Sequence, residues 1–388
     1  MRFVIYCPPR KKGGPEAMHQ LCDMLNAQGA DASLKYVEEI EGALMPSQTS
    51  ECFYVDKYSN LSICKEDIVS QDAVIVIPEV WGHYAISLAA SNPVLIWWLA
   101  VDFGLLALGR SRRHLDHLRS NPRIFHAYQS EYARQFLSAL GLRTHDLPLS
   151  DYVNIHWKNT EATSGMQRSD KLHICYNPLK GGWLAQAFIK NHPEVTATPL
   201  IDMSEAEILQ AFRSTDAYVE FGCLPGKDRL PREAITAGTA VFLRKSGDGA
   251  YPSDWSFPEA SYFDTADCFN GELINRIRSI CKTEDPRQYL AKAREKVASE
   301  KDVFQMEVNG LIKFFQDHRT LTGVEQEIHK YLREAHYFVD ELTYAEKELR
   351  AITKSTSWRI TAPLRKARVF MGKCRSVVTQ ALKRTHRS

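Results

Sequence analysis

The segment Tyr218–Val241, YVEFGCLPGKDRLPREAITAGTAV, places Lys227, Arg229 and Arg232 within six residues and follows them directly with Glu233. Such a run can hold a nucleotide diphosphate. Tyr218 and Val219 end an apolar strand, Gly222, Pro225 and Gly226 break it, and Pro231 falls in a first helical turn, where proline is tolerated. Loop cations and unpaired N–H groups at the helix start give one positive field for phosphate. A carboxylate beside that field is repulsive unless it points at hydroxyls, so ribose is the natural partner of Glu233. The pattern suggests a nucleotide carrying a sugar. The plainer reading is a solvated charged loop in which Glu233 merely favours the helix dipole.

Two α/β units are expected to carry these residues. In the first, RFVIYC, a Gly-Gly turn and EAMHQLCDMLNAQG read as strand, loop and helix, with Gly29 at the helix end. Apolar runs follow at Asp72–Pro78, Pro93–Ala100 and Ile124–Ser130. Their continuous rather than alternating apolar character predicts a parallel sheet covered on both faces. The unit is Rossmann-like but lacks G-x-G-x-x-G, so the dinucleotide fingerprint is absent. A polar, aperiodic stretch over 154–170 reads as a linker between a first domain at 1–153 and a second at 171–319.

The second unit restarts with KLHICYNPLKGG, continues through a helix near 183–190, a strand near 195–200, a helix capped by Ser204, and then the basic loop. Lys180, Lys227 and Glu233 all stand just beyond predicted strand ends. Ligands of such sheets bind there, in a cleft between the two facing domains.

Bulk properties bound the rest. The 388 residues, 44% hydrophobic and 25% charged, suffice for two cores. No apolar run is long enough to span a bilayer, and the N-terminus reads as a first strand rather than a signal peptide. Nine scattered cysteines without C-x-x-C pairs fit neither a disulfide framework nor a zinc site, which points to the reducing cytosol. No metal site is expected. The net charge of +2 conceals a segregation: residues 349–388 carry eleven Lys and Arg and no carboxylate, leaving −9 on the remainder.

Residues 320–388 read as helical. Val324, Ile328, Tyr331, Ala335, Phe338, Leu342, Ala345, Leu349 and Ile352 alternate spacings of four and three, an a/d seam for coiled-coil pairing or for packing on the chain's own body. After Pro363, an arc of Leu364, Phe370, Met371, Cys374, Val378, Ala381 and Leu382 opposes most of the cations, as in an amphipathic helix lying on an anionic membrane. Nucleic acid is not an expected partner, because aromatics are not interleaved with those cations.

Taken together, the chain resembles the GT-B glycosyltransferases, which have two facing Rossmann-like domains with a nucleotide-sugar donor in the C-terminal one. Gly13-Gly14-Pro15-Glu16 looks like the glycine loop after the first strand of the acceptor domain. Glu233-Ala234 with Gly238 and Val241 looks like the E-A-x-x-x-G-x-x-V signature, whose glutamate binds the ribose. GKDRLPREA, YNPLKG and WWLAVDF are similar to a bacterial subgroup found with surface-polysaccharide genes, and STSWRITAPLR to a tail segment of transferases that build O-antigen and related glycans. The first glutamate of the frequent E-x7-E pair is missing, since Pro225 holds that position and Glu220 lies five residues earlier.

The resemblance implies a metal-independent transferase, with no D-x-D and no cofactor beyond its donor, acting at the cytoplasmic face of the cell membrane. A lipid-linked glycan is its implied acceptor, and residues 324–352 would join copies or partner transferases. Gly13, Gly14, Lys180, Gly181, Gly226, Lys227, Arg229, Arg232 and Glu233 would form the donor site. A base for an inverting reaction is sought among His19, Glu79, His83 and Asp102, near strand ends or helix starts of the first domain. Structural histidines and turn-capping carboxylates are the plainer readings of those four. A noncatalytic scaffold that organises other transferases is the alternative for the whole chain.

Overall fold

The computed structural model describes residues 1–318 apart from 50, 67, 109–111, 155–170 and 284. The heptad segment 324–352, the amphipathic tail and the greater part of the interdomain linker lie outside the described residues.

The first sheet comprises β1 (Arg2–Cys7), β2 (Asp31–Ile40), β3 (Ala43–Pro46), β4 (Val74–Pro78), β5 (Val94–Trp98) and β6 (Ile124–Tyr128), in spatial order β3-β2-β1-β4-β5-β6. All pairings are parallel except β2 with β3. That pair turns at Glu41-Gly42, both at positive φ (50° and 79°), the conformation a two-residue hairpin turn requires. VIVIP and VLIWW, in β4 and β5, are buried at every position. Helices therefore cover both faces. They are α1 (Gly13–Ala27), α2 (Ala85–Ala89), α3 (Val101–Leu108), α4 (Arg112–Ser120) and α5 (Glu131–Ala139), with a 3-10 turn at Glu79–Tyr84.

The second sheet is wholly parallel: β7 (Leu172–Tyr176), β8 (Val195–Pro199), β9 (Ala217–Glu220), β10 (Ala240–Arg244) and β11 (Tyr262–Phe263), in order β11-β10-β9-β7-β8. Its helices are α6 (Gly182–Asn191), α7 (Glu205–Ser214), α8 (Arg229–Ala237), α9 (Pro252–Trp255), α10 (Asp267–Asn270), α11 (Glu272–Thr283), α12 (Pro286–Tyr289) and α13 (Ala291–Asp317). Ser204 caps α7 through a full capping box with Glu207.

Strand order reverses between β1 and β4 in one sheet and between β7 and β9 in the other. These are the topological switch points, where α/β sheets open a crevice at their carboxyl ends.

One long helix departs from the expected partition at residue 319. Ala293 and Val297 of α13 pack in the second core, whereas Phe304, Val308, Leu311 and Phe315 pack in the first. The spacing of four and three keeps all of them on one stripe. Phe304 stacks on Trp97 (6.3 Å, 13°), and Phe315 meets Phe125 edge-on at 5.0 Å. At about 1.5 Å per residue, 27 residues span about 40 Å, enough to serve both cores.

Candidate active site

The site forms at the switch point of the second sheet, where the loops after β7 and β9 touch. Gly181 has φ +65°, and a Cβ there would collide with the backbone of Phe221; a Cβ on Gly222 would lie 2.5 Å from Lys180 Cβ. Only glycine permits this approach. It sets Lys180 beside the start of α8. Asp228 is the N-cap of α8, accepting the Arg229 N–H at 3.1 Å, and its other oxygen takes the Lys180 ammonium.

Arg229, the first residue of α8, points across the cleft. Its guanidinium pairs with Glu16 of α1 and, at 3.3 Å, with Glu233 one turn along its own helix. A Cβ on Gly13 would sit 3.5 Å from Arg229 Cδ, so the first-domain glycine loop passes close to this arginine, while Gly14 has open space beside it. Glu16 also accepts the Tyr58 hydroxyl at 3.1 Å and lies 3.5 Å from the Lys57 ammonium, which reaches Glu205 of α7 at 2.5 Å. Burial raises the Glu233 carboxyl above its ordinary value, against the pull of Arg229 and Arg232. Glu233 is thus largely shielded yet charge-compensated, facing polar groups of both domains. Of the expected site residues, Gly13 and Glu233 thus lie against Arg229, while Lys180, beside Gly181, reaches the start of the same helix through Asp228.

Two of the expected phosphate cations are placed otherwise. Arg232 is 0% exposed. Its three nitrogens donate to Asp151 Oδ2 (2.9 Å), Glu300 Oε2 (3.1 Å) and the carbonyls of Asp151, Lys227 and Asp228. Lys227, 9% exposed, pairs with Glu300 at 2.7 Å. Their chemistry is consumed within a buried clasp that joins the first domain, α8 and α13. Burying those charges is tolerable only because they are paired and hydrogen-bonded.

Gly226 belongs to the same departure. A Cβ there would collide with the Leu99 carbonyl, Pro225 O accepts the Val101 N–H at 2.7 Å, and the Lys227 N–H donates to Gln129 at 2.9 Å. This stretch is pressed against the strand ends of the first domain rather than open to a phosphate.

The four base candidates are dispersed and engaged. His19 is fully buried between the Pro15 carbonyl (2.6 Å) and the Tyr36 hydroxyl (2.8 Å), and burial lowers its pKa. It is a structural histidine. Glu79 is buried and accepts the Leu99 N–H at 3.0 Å; burial raises it to about 7 even against its backbone hydrogen bonds. It fixes the turn after β5. His83 lies 3.9 Å from Glu39 and against the Tyr84 ring. Asp102 accepts the Tyr132 hydroxyl at 3.2 Å and has Cys223 Sγ 4.0 Å away, at the junction of the domains.

Glu220 does not take the place of the missing glutamate. It is fully buried, accepts the Tyr218 hydroxyl (2.5 Å) and the Gly222 N–H (2.9 Å), and is raised to about 7 by burial and the nearby Asp228. Its role is to hold the glycine loop from beneath. Sequence reasoning missed Lys57, Glu205, Asp151 and Glu300, which no local pattern marks. Glu16 entered only as part of the GGPE string.

No protein-family model matches the chain, and no curated protein is similar to it in sequence. Solved structures are similar in fold. A glycosyltransferase from Rickettsia africae ESF-5 aligns with TM-score 0.53 at 10% identity, over 83% of this chain and 100% of its own. The lipopolysaccharide outer core galactosyltransferase WaaB in its apo form gives 0.53 at 10% identity, covering 81% and 100%. Sucrose-phosphate synthase from Thermosynechococcus elongatus gives 0.51 at 14% identity, covering 81% and 100%. The fold is that of the GT-B glycosyltransferases.

Proposed function

We propose that the chain is a glycosyltransferase that moves a sugar from a nucleotide-sugar donor to a glycan acceptor. One observation carries this reading: Arg229, Lys180 and Glu233 converge at the second switch point, with the first-domain glycine loop passing against Arg229. Glu233 would hold the ribose hydroxyls. Arg229, Lys180 and the N–H groups opening α8 would neutralise the leaving diphosphate as the C1–O bond breaks. An arriving diphosphate would take over from Glu16 on Arg229 and from Asp228 on Lys180. In this scheme side-chain cations supply the neutralisation, without a metal ion.

The acceptor in this proposal is a lipid-linked glycan of bacterial surface-polysaccharide assembly, met at the cytoplasmic face of the membrane. Residues 324–352 would pair copies or partner transferases, and the basic tail would rest on anionic lipid. No described helix is long and apolar enough to cross a membrane. A noncatalytic scaffold is favoured by two observations: Pro225 stands where a sugar-handling carboxylate is frequent, and its carbonyl is tied to Val101.

A thermal-shift panel of nucleotide sugars, followed by donor hydrolysis and transfer assays, separates the readings. Binding with turnover, both abolished by Glu233→Ala and by Arg229→Ala in folded protein, supports the transferase. Binding without turnover supports the scaffold, and no binding to any nucleotide or nucleotide sugar refutes the donor site.

A further inference from the structure

The two carboxylate oxygens of Glu16 face two different cations. Oε1 accepts the Tyr58 hydroxyl at 3.1 Å and lies 3.5 Å from the Lys57 ammonium, while Oε2 pairs with Arg229 of the second domain. Glu16 is buried, so its charge is tolerable only while a cation or hydrogen-bond donor compensates it. Lys57 is held in place without help from Arg229. It closes a turn at 54–58, in which the Lys57 and Tyr58 N–H groups both donate to the Tyr54 carbonyl at 3.0 Å. Tyr54 and Tyr58 are buried in the first core, the Tyr54 hydroxyl donates to the Lys12 carbonyl at 3.2 Å, and the Lys57 ammonium stands 5.8 Å from the Tyr54 ring centre. The turn is thereby pinned to the glycine loop at both its tyrosines.

Arg229 thus has two claimants, Glu16 and the diphosphate of the proposed donor. Releasing Arg229 would strand a buried carboxylate if Arg229 were its sole counter-charge, and that penalty would be charged to donor binding. With Lys57 in place, Glu16 keeps a cation and a hydroxyl after Arg229 has gone. The two cations are likewise doubly provided: Arg229 has Glu233 at 3.3 Å, and Lys57 has Glu205 at 2.5 Å. Removing the charge of Glu16 therefore leaves neither of them without a carboxylate.

We propose that Lys57 is a positioning residue for the donor diphosphate: it retains Glu16 when the diphosphate takes Arg229, and so sets donor affinity without touching the donor. This rests on the donor-site reading above and assigns the step by which the chain's own carboxylate is cleared from that site. Glu16 acts as the resident anion of Arg229, and Lys57 is where it goes.

The test titrates the full chain calorimetrically with inorganic pyrophosphate and with uridine, guanosine and thymidine diphosphates. Glu16→Gln, which keeps an acceptor for Tyr58 but no charge, should tighten binding about tenfold, and Lys57→Met should weaken it about tenfold. The double variant should bind like Glu16→Gln, because no charge remains to be stranded. Lys57→Arg should restore binding. If Lys57→Met weakens binding equally in the Glu16→Gln background, Lys57 touches the phosphates or acts through the fold, and the proposal is overturned; unchanged binding of Lys57→Met overturns it as well. Amide hydrogen exchange on the ligand-free chain supplies a second readout at residues 13–16 and at the start of α8. Glu16→Gln should speed exchange there and Lys57→Met should slow it, since Glu16 then holds Arg229 alone, whereas a merely structural loss speeds both. Absence of diphosphate binding in every variant and in the parent overturns the donor site itself. The exchange measurement then judges the sharing of Glu16 between Lys57 and Arg229 on its own, opposite signs upholding it and a common sign refuting it.

Discussion

Removing Arg232 should cost folding rather than substrate binding, the reverse of what its place in a basic loop implies. The guanidinium is fully enclosed, and all three of its nitrogens donate to partners from three separate stretches of chain. Burial alone would raise the Asp151 carboxyl, but Arg232 foremost, with Lys227 and Gln129, holds it below its ordinary value. Arg232→Ala leaves Asp151 without its main counter-charge and strips Glu300 of one of its two cations. Breaking a buried pair in this way costs about 3–5 kcal/mol. Arg232→Lys should recover less than half of that, because a single ammonium cannot reproduce a forked donor reaching two carboxylates. Equilibrium urea unfolding followed by fluorescence gives the loss directly. Arg229→Ala is the comparison: buried Glu16 keeps the Lys57 ammonium at 3.5 Å and the guanidinium is part-exposed at the cleft, so stability should fall by less than for Arg232→Ala while nucleotide-sugar binding disappears. The reasoning fails if Arg232→Ala unfolds within about 1 kcal/mol of the parent and loses nucleotide binding instead, since Arg232 would then be the phosphate ligand and the clasp incidental.

Three further outcomes follow from the same geometry. Gly181→Ala should destabilise by about 2 kcal/mol or more and weaken donor binding, because its φ of +65° and the Phe221 backbone both exclude a methyl group; wild-type behaviour in unfolding and binding would contradict the loop contact. Phe304→Ala should cost about 3–5 kcal/mol by emptying the stack on Trp97, and a loss below about 1 kcal/mol would show that α13 is not part of the first core. Stability should decline from mildly acid to alkaline pH. Burial foremost raises Glu79 and Glu220 to about 7 and Asp248 to about 8, with Asp254 adding to the last, from ordinary values of 4.5, 4.5 and 3.8. Folded chains keep these protons where unfolded chains have lost them, so the contribution is full below about pH 4 and is gone once pH passes about 8. Urea midpoints that rise across that window would refute the assignment, and Glu220→Gln should flatten the slope.

Local chemistry in the sequence was sufficient for the elements and for part of the site. Continuous apolar runs such as VLIWW can be satisfied only in a sheet covered on both faces, and Ser204 and Gly29 mark helix ends through backbone requirements that act within a few residues. Glu233, Arg229 and Lys180 were legible for the same reason: each sits one loop beyond a strand, and parallel sheets direct those loops to one edge.

Cation partnerships were not legible, because they depend on residues far away in the chain. Lys227, Arg229 and Arg232 look alike within six residues, yet helical rotation turns Arg229 toward Glu16 and buries Arg232 against Asp151 and Glu300. The turning back of α13 into the first core is equally nonlocal, since a stripe with spacing of four and three specifies one buried face and not which core it meets. Sequence fixes periodicity, caps and charge through near neighbours. Only close packing of the two domains decides which of those charges are fully enclosed, as Arg232 is, and which stay part-exposed at the cleft, as Arg229 does.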